Sequence, residues 1–119
     1  MQQGWIKLYR KIVNWEWYTD LPTFKLFVHL LITANRNPAR WRGNEVNQGE
    51  LITSVGSLSV ATGLSVSQVR TALKKLERTG EILVKTTRFC TKITVVKYGD
   101  YQAFDSFEQQ TDDKVVTRL

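Results

Sequence analysis

Between Ser65 and Gly80 the chain reads Ser-Val-Ser-Gln-Val-Arg-Thr-Ala-Leu-Lys-Lys-Leu-Glu-Arg-Thr-Gly. At helical spacing Val66, Val69, Leu73 and Leu76 share one face. Ser67, Gln68, Thr71, Lys74, Lys75 and Arg78 share the opposite face, with Arg70 on the flank. Hydroxyls and an amide in the first turns are short enough to meet base edges. Cations further along stand at phosphate distance. Glu77 is the only acid on this helix, whereas a merely solvated amphipathic face mixes both signs. The chemistry on offer is attachment to a polyanion.

Covalent chemistry finds no comparable set. The single histidine, His29, has no nucleophile to activate, the glycines form no phosphate loop, and carboxylates cluster only near the C-terminal end. One cysteine, Cys90, excludes an intrachain disulfide and leaves no Cys/His set for zinc. No enzymatic activity, metal or cofactor is expected. Arg88 and Lys92 are the only cations near Cys90, and exposed cations activate a thiol weakly. His29 reads as a surface or hydrogen-bonded residue.

The elements that position the cationic face follow from caps and periodicity. Ser54 caps a first helix running from about Val55 to Thr62, which buries Leu58 and Ala61. Gly63 takes the C-terminal position that favours a left-handed residue, and Leu64 fills the turn. Ser65 opens the second helix, Ser65 to Thr79, with a capping box to Gln68, and Gly80 ends it. Two helices joined by a tight glycine turn form the helix-turn-helix pattern, whose second helix enters the major groove. Glu81–Thr86 and Lys92–Tyr98 read as strands flanking Thr87–Thr91, a hairpin wing spanning Glu81 to Tyr98. Arg88 at its tip suits phosphate or minor-groove contact. Phe89 reads as a hydrophobic plug folded over the tip.

Upstream, Gly4 to Tyr18 holds Trp5, Leu8, Ile12, Trp15 and Trp17, and reads as an extended start followed by a helical turn or two. Asp20 caps a helix with Pro22 in its first turn, ending near Asn35. Only Lys25, His29 and Thr33 form its polar stripe, so this helix, with Phe24 and Phe27, is expected to be buried on several sides or to wait for a partner subunit. Asn37 to Asn47 reads as a polar loop containing Arg40, Trp41 and Arg42, and short strands flank the turn Asn47-Gln48-Gly49.

The fold class is therefore α+β: a winged helix-turn-helix with an N-terminal helical extension and a C-terminal β-hairpin wing. It occupies residues 1–104, of which 1–35 would carry self-association through Trp5, Leu8, Ile12, Trp15, Trp17, Phe24 and Phe27. A polar acidic tail, 105–119, is expected to be dispensable for folding. The formal charge is +6 over 119 residues. Residues 1–99 hold 15 Lys and Arg against 6 Asp and Glu, while 100–119 hold 2 against 5. A basic body with an acidic end points to a polyanionic partner, although charge alone serves solubility equally well. The most apolar stretch, Phe24 to Ala34, is too short to span a bilayer and the N-terminus has no signal-like apolar core. A cytoplasmic location and no membrane partner are expected.

Three segments together resemble phage and Gram-positive replication proteins with a DnaD-type winged-helix N-terminal domain. They are Gly4–Ile12 with Trp15-x-Trp17-Tyr18, then Leu30-Leu31-x-x-Ala34-Asn35, then Gly63 to Leu73 with Leu76 and Gly80-Glu81-Ile82. The third segment is also similar to GntR-type regulators. The resemblance covers roughly residues 4–102. It implies a replisome organiser or origin-associated protein that binds duplex DNA, self-associates through its N-terminal helices and helps recruit helicase or helicase-loader proteins. The GntR-like helix implies contacts at Ser67, Gln68 and Arg70, with Arg88 in the wing. Ser65, Thr71, Lys74, Lys75, Arg78 and Lys92 complete the expected DNA-binding set. A transcriptional repressor and a protein-interaction module that does not itself bind DNA are the competing readings. Members of the group usually continue into a further C-terminal region, whereas this chain stops at Leu119.

Overall fold

Capping residues set where the helices begin. Asp20 accepts the Thr23 amide and holds Pro22 in the first turn of α1, Leu21–Thr33. Ser54 accepts the Ser57 amide at the start of α2, Val55–Thr62. Ser65 and Gln68 close a reciprocal capping box at the start of α3, Val66–Arg78. Such a cap contributes about 0.5–2 kcal/mol, which matters most for a helix of eight residues. Gly63 closes α2 at φ +81°, a left-handed conformation costly to any residue with a Cβ.

The computed structural model describes residues 5–96 and Tyr98. They form a small α+β domain with three α-helices and antiparallel sheet. One hairpin pairs β1 (Ala39–Trp41) with β2 (Asn44–Val46). A three-stranded sheet in the order β3-β5-β4 contains β3 (Glu50–Thr53), β4 (Ile82–Thr86) and β5 (Thr91–Val95). The core sits where Leu26, Phe27, Leu30 and Leu31 of α1 meet Val69, Ala72, Leu73 and Leu76 of α3. Leu58 closes it from α2, and Leu51, Ile82, Ile93 and Val95 close it from the sheet.

Several expectations are corrected. Asn37 to Asn47 is not a plain loop: Arg42 (φ +49°) and Gly43 (φ +80°) form a two-residue turn that pairs Trp41 with Asn44. Two successive positive φ values match the twist of flanking strands, which is why such turns close hairpins. Val66 is half-exposed, and Ala72 takes the remaining place on the buried face of α3. The hairpin after α3 is shorter than the stretch Glu81 to Tyr98, since β4 starts at Ile82 and β5 ends at Val95. α1, expected to be buried on several sides or to wait for a partner, is enclosed along one broad face only. Leu21 and Ile32 face outward on the same stripe as Lys25, while Leu26, Phe27, Leu30 and Leu31 are enclosed. It ends at Thr33 because Ala34 leaves the helical region and Asn35 donates its amide to the Glu50 carbonyl.

The N-terminal segment departs most from expectation. A 3-10 turn, Arg10–Asn14, brings Ile12 and Trp15 into the core. Trp15 lies 4.8 Å from the Phe27 ring centroid and edge-on to Phe24. Ile12, Trp15 and Phe27 therefore stabilise their own chain and offer no surface to a partner. Phe24 and Trp17 pack against the same core. Of the seven residues expected at a self-association surface, only Trp5 (75% exposed) and Leu8 (44%) stand largely free. The expected tail, 105–119, lies outside the described residues.

Candidate nucleic-acid interface

The buried face of α3 fixes what its other face presents. With Val69, Ala72, Leu73 and Leu76 enclosed, Ser67, Arg70, Thr71, Lys74 and Arg78 all fall on the exposed side. Arg70, Lys74 and Arg78 form no ion pair among the described residues, so their charge is directed to solvent. Glu77 sits on the flank, exposed. The outward stripe thus runs from a serine and a threonine near the start to cations near the end.

Three members of the expected set are partly spent on the fold. The Ser65 Oγ accepts the Gln68 amide at 3.0 Å, and the Gln68 Oε1 accepts the Ser65 amide at 2.9 Å. The cap takes up these groups and leaves Gln68 its side-chain NH2. Lys75 points away from the stripe: its Nζ pairs with Asp20 at 2.5 Å and stands 5.5 Å from the Trp17 ring centroid. The Trp17 indole in turn donates to the Thr79 hydroxyl at 3.2 Å. The end of α3 is therefore fastened to the segment before α1. The hydrogen bond from Lys75 holds the Asp20 carboxyl below its ordinary pKa, partial burial opposing and the Thr23 amide assisting. Lys75 is thus a tether rather than a free phosphate contact, a position that helical spacing alone had placed on the polar face.

Beyond Gly80 the hairpin carries the remaining two. Arg88 is exposed at the tip, its guanidinium 5.5 Å from the centroid of Phe89. Phe89 itself is 82% exposed, so it is no plug. The Thr87 hydroxyl accepts the amides of Phe89 and Cys90 and fixes the tip without help from the aromatic ring. Cys90 is half-buried beneath it. Lys92 lies on the sheet rather than at the tip. It pairs with Glu50 at 3.2 Å and donates to the Glu45 carbonyl, so its charge is already balanced. Burial raises the Glu50 carboxyl, but the Asn47 amide and Lys92 outweigh it and hold the pKa below its ordinary value.

Sequence reasoning passed over the β1–β2 hairpin. Trp41 and Arg42 are exposed there, with the guanidinium 5.0 Å from the indole centroid. The signal was the Arg-Gly pair, weaker than Asn-Gly as a turn marker.

His29 lines a cleft of about 450 Å³ shared with Trp41 and Leu58. Burial, then the Lys25 charge, lowers its pKa. Among the described residues no cluster of three His, Cys, Asp or Glu could hold a metal, and no helix is long and apolar enough to cross a membrane. No family model, curated protein or solved structure matches the chain.

Proposed function

We propose that this chain is a duplex DNA-binding protein of the winged helix-turn-helix type. In this reading α3 is the recognition helix and the β4–β5 hairpin the wing. The observation that carries it is the outward stripe of Ser67, Arg70, Thr71, Lys74 and Arg78, whose three cations form no ion pair among the described residues on a helix otherwise fixed in the core. A helix so anchored on three sides presents its face rigidly, which base reading requires. Ser67, Arg70 and the Gln68 amide serve as base-edge contacts, Thr71, Lys74 and Arg78 as phosphate contacts, and Arg88 reaches the flanking backbone or minor groove. The resemblance to DnaD-type proteins gives this binding a role in replication initiation by a phage or mobile element.

Self-association and contacts with helicase or helicase-loader proteins belong to the same proposal. Trp5, Leu8 and Val13, exposed ahead of α1, support the self-association.

The test is fluorescence anisotropy on labelled random duplex, comparing the parent with Lys74→Glu/Arg78→Glu. The expected outcome is salt-sensitive binding by the parent and its near loss in the variant. Equal binding by two folded proteins would take the α3 stripe out of the contact, and a folded parent that binds no duplex would turn the reading toward a protein-interaction module.

A further inference from the structure

A second surface, which shares the β4–β5 hairpin but not α3, carries its own chemistry. The face of the three-stranded sheet turned away from the core sets Ile52, Lys92 and Lys85 side by side, since Lys92 is the register partner of both others. The β1–β2 hairpin rises along one side with Trp41 and Arg42, and Phe89 stands on the other at the β4–β5 tip. Between them lies an open groove of about 740 Å³, within the roughly 300–1,000 Å³ range of ligand sites.

The two walls are alike in a way that packing does not demand. Each carries an exposed aromatic ring, Trp41 at 40% and Phe89 at 82%. Each ring has an arginine beside it, Arg42 at 5.0 Å and Arg88 at 5.5 Å. Lys85 is exposed on the floor, and Arg42, Lys85 and Arg88 form no ion pair among the described residues. Glu45 is the one acid in the lining, against Arg42, Lys85 and the already paired Lys92. An unpaired positive excess interleaved with exposed rings is what a single strand requires: every base offers a face for stacking, and the backbone follows the cations. A duplex cannot use it, because its base faces are stacked away.

The geometry points to the groove between the two hairpins as a binding site for single-stranded DNA, with bases stacked on Trp41 and Phe89 and phosphates on Arg42 and Lys85. The choice of DNA over RNA rests on the reading of α3 as a duplex reader, since a melted strand of the same molecule is then the nearest occupant. The groove itself does not depend on α3.

The experiment titrates the full chain into labelled thymidine homopolymer, uridine homopolymer and random duplex, following anisotropy. Trp41→Ala and Phe89→Ala are compared with the rescues Trp41→Phe and Phe89→Tyr, all checked for native circular dichroism. Both rings are exposed, and Phe89 is at a tip fixed by Thr87, so truncation there leaves the fold standing. Each alanine variant should weaken thymidine binding by about fivefold or more, with the aromatic replacement recovering most of it and duplex affinity unmoved. Failure of the parent to bind thymidine homopolymer at about 100 µM, the weak end of non-specific binding, overturns the proposal. So does unchanged affinity in both alanine variants. A clear preference for the uridine homopolymer overturns the assignment to DNA. Single-strand binding without duplex binding would uphold the groove and remove the α3 reading, whereas the reverse would do the opposite.

Discussion

α3 turns Arg70, Lys74 and Arg78 outward with no ion-pair partner among the described residues, whereas the segment before α1 turns Ile12 and Trp15 inward and fastens Trp17 to Thr79. Both regions are rich in side chains that other molecules bind, and in sequence both looked like interaction surfaces. The difference lies in periodicity. A helix with Val69, Leu73 and Leu76 at spacing 4 and 3 has only one way to bury them, so its other face is settled at once. An irregular aromatic run has no such rule. Its rings go wherever the core has room, and here the core of α1 and α3 encloses Trp15 and leaves Trp17 half-buried at its edge. Asp20 and Lys75 tie the two regions together.

The strongest way to break this contrast is through Trp15. As a core residue at 6% exposure, packed on Phe27, its change to alanine should destabilise the protein by about 3–5 kcal/mol in urea unfolding. A cost under about 1 kcal/mol, typical of surface changes, would return the segment to the surface and favour its use by a partner. Arg70→Ala should act oppositely. It should leave unfolding unchanged while weakening a preferred duplex site by about 1–3 kcal/mol, random duplex being affected less. Gln68 is the poorer probe, because Gln68→Ala also opens the capping box.

The tie between the regions should have a smaller effect. Asp20→Ala removes both the α1 cap and the Lys75 partner and should cost about 1 kcal/mol, while Asp20→Asn keeps the cap and isolates the ion pair. Because the folded pKa of Asp20 lies below 3.8, its contribution is complete above that pH. It is lost as pH falls through the folded value. An acid unfolding limb that is identical in Asp20→Asn and the parent would show that the pair contributes nothing. The smallest change in stability is expected at Trp5 and Leu8, where alanine should shift unfolding by no more than about 0.5 kcal/mol. The same substitutions should lower the mass seen by light scattering if the segment's exposed remainder joins two copies. A parent that is monomeric at all concentrations tested would remove that role.

Helix starts, the Gly63 turn and the two strands after Gly80 were legible, because each is set by local chemistry: Asp20, Ser54 and Ser65 as caps, glycine at a left-handed position, alternation in Lys92–Val95. What escaped depends on contacts distant in sequence. Lys75 falls on the polar side of α3 by spacing, and only the approach of Asp20, 55 residues away, takes it off the stripe. Lys92 is likewise claimed by Glu50. Phe89 was expected to fold over the tip, yet the Thr87 hydroxyl satisfies the turn and leaves the ring outside. The outward Leu21 and Ile32 were invisible because a wheel counts apolar residues without saying which of them the neighbouring helices reach.

Whether the stripe on α3 meets phosphate is read from the dependence of duplex affinity on salt. Each phosphate contact releases counterions, so log affinity falls linearly with log salt. Lys74→Ala and Arg78→Ala should each flatten that line by roughly 0.9 per lost contact and weaken all duplex sequences alike. Lys75→Ala, whose charge is held by Asp20, should leave the slope where it was. Parallel lines for the parent, Lys74→Ala and Arg78→Ala, all folded, would show that the α3 stripe makes no phosphate contact.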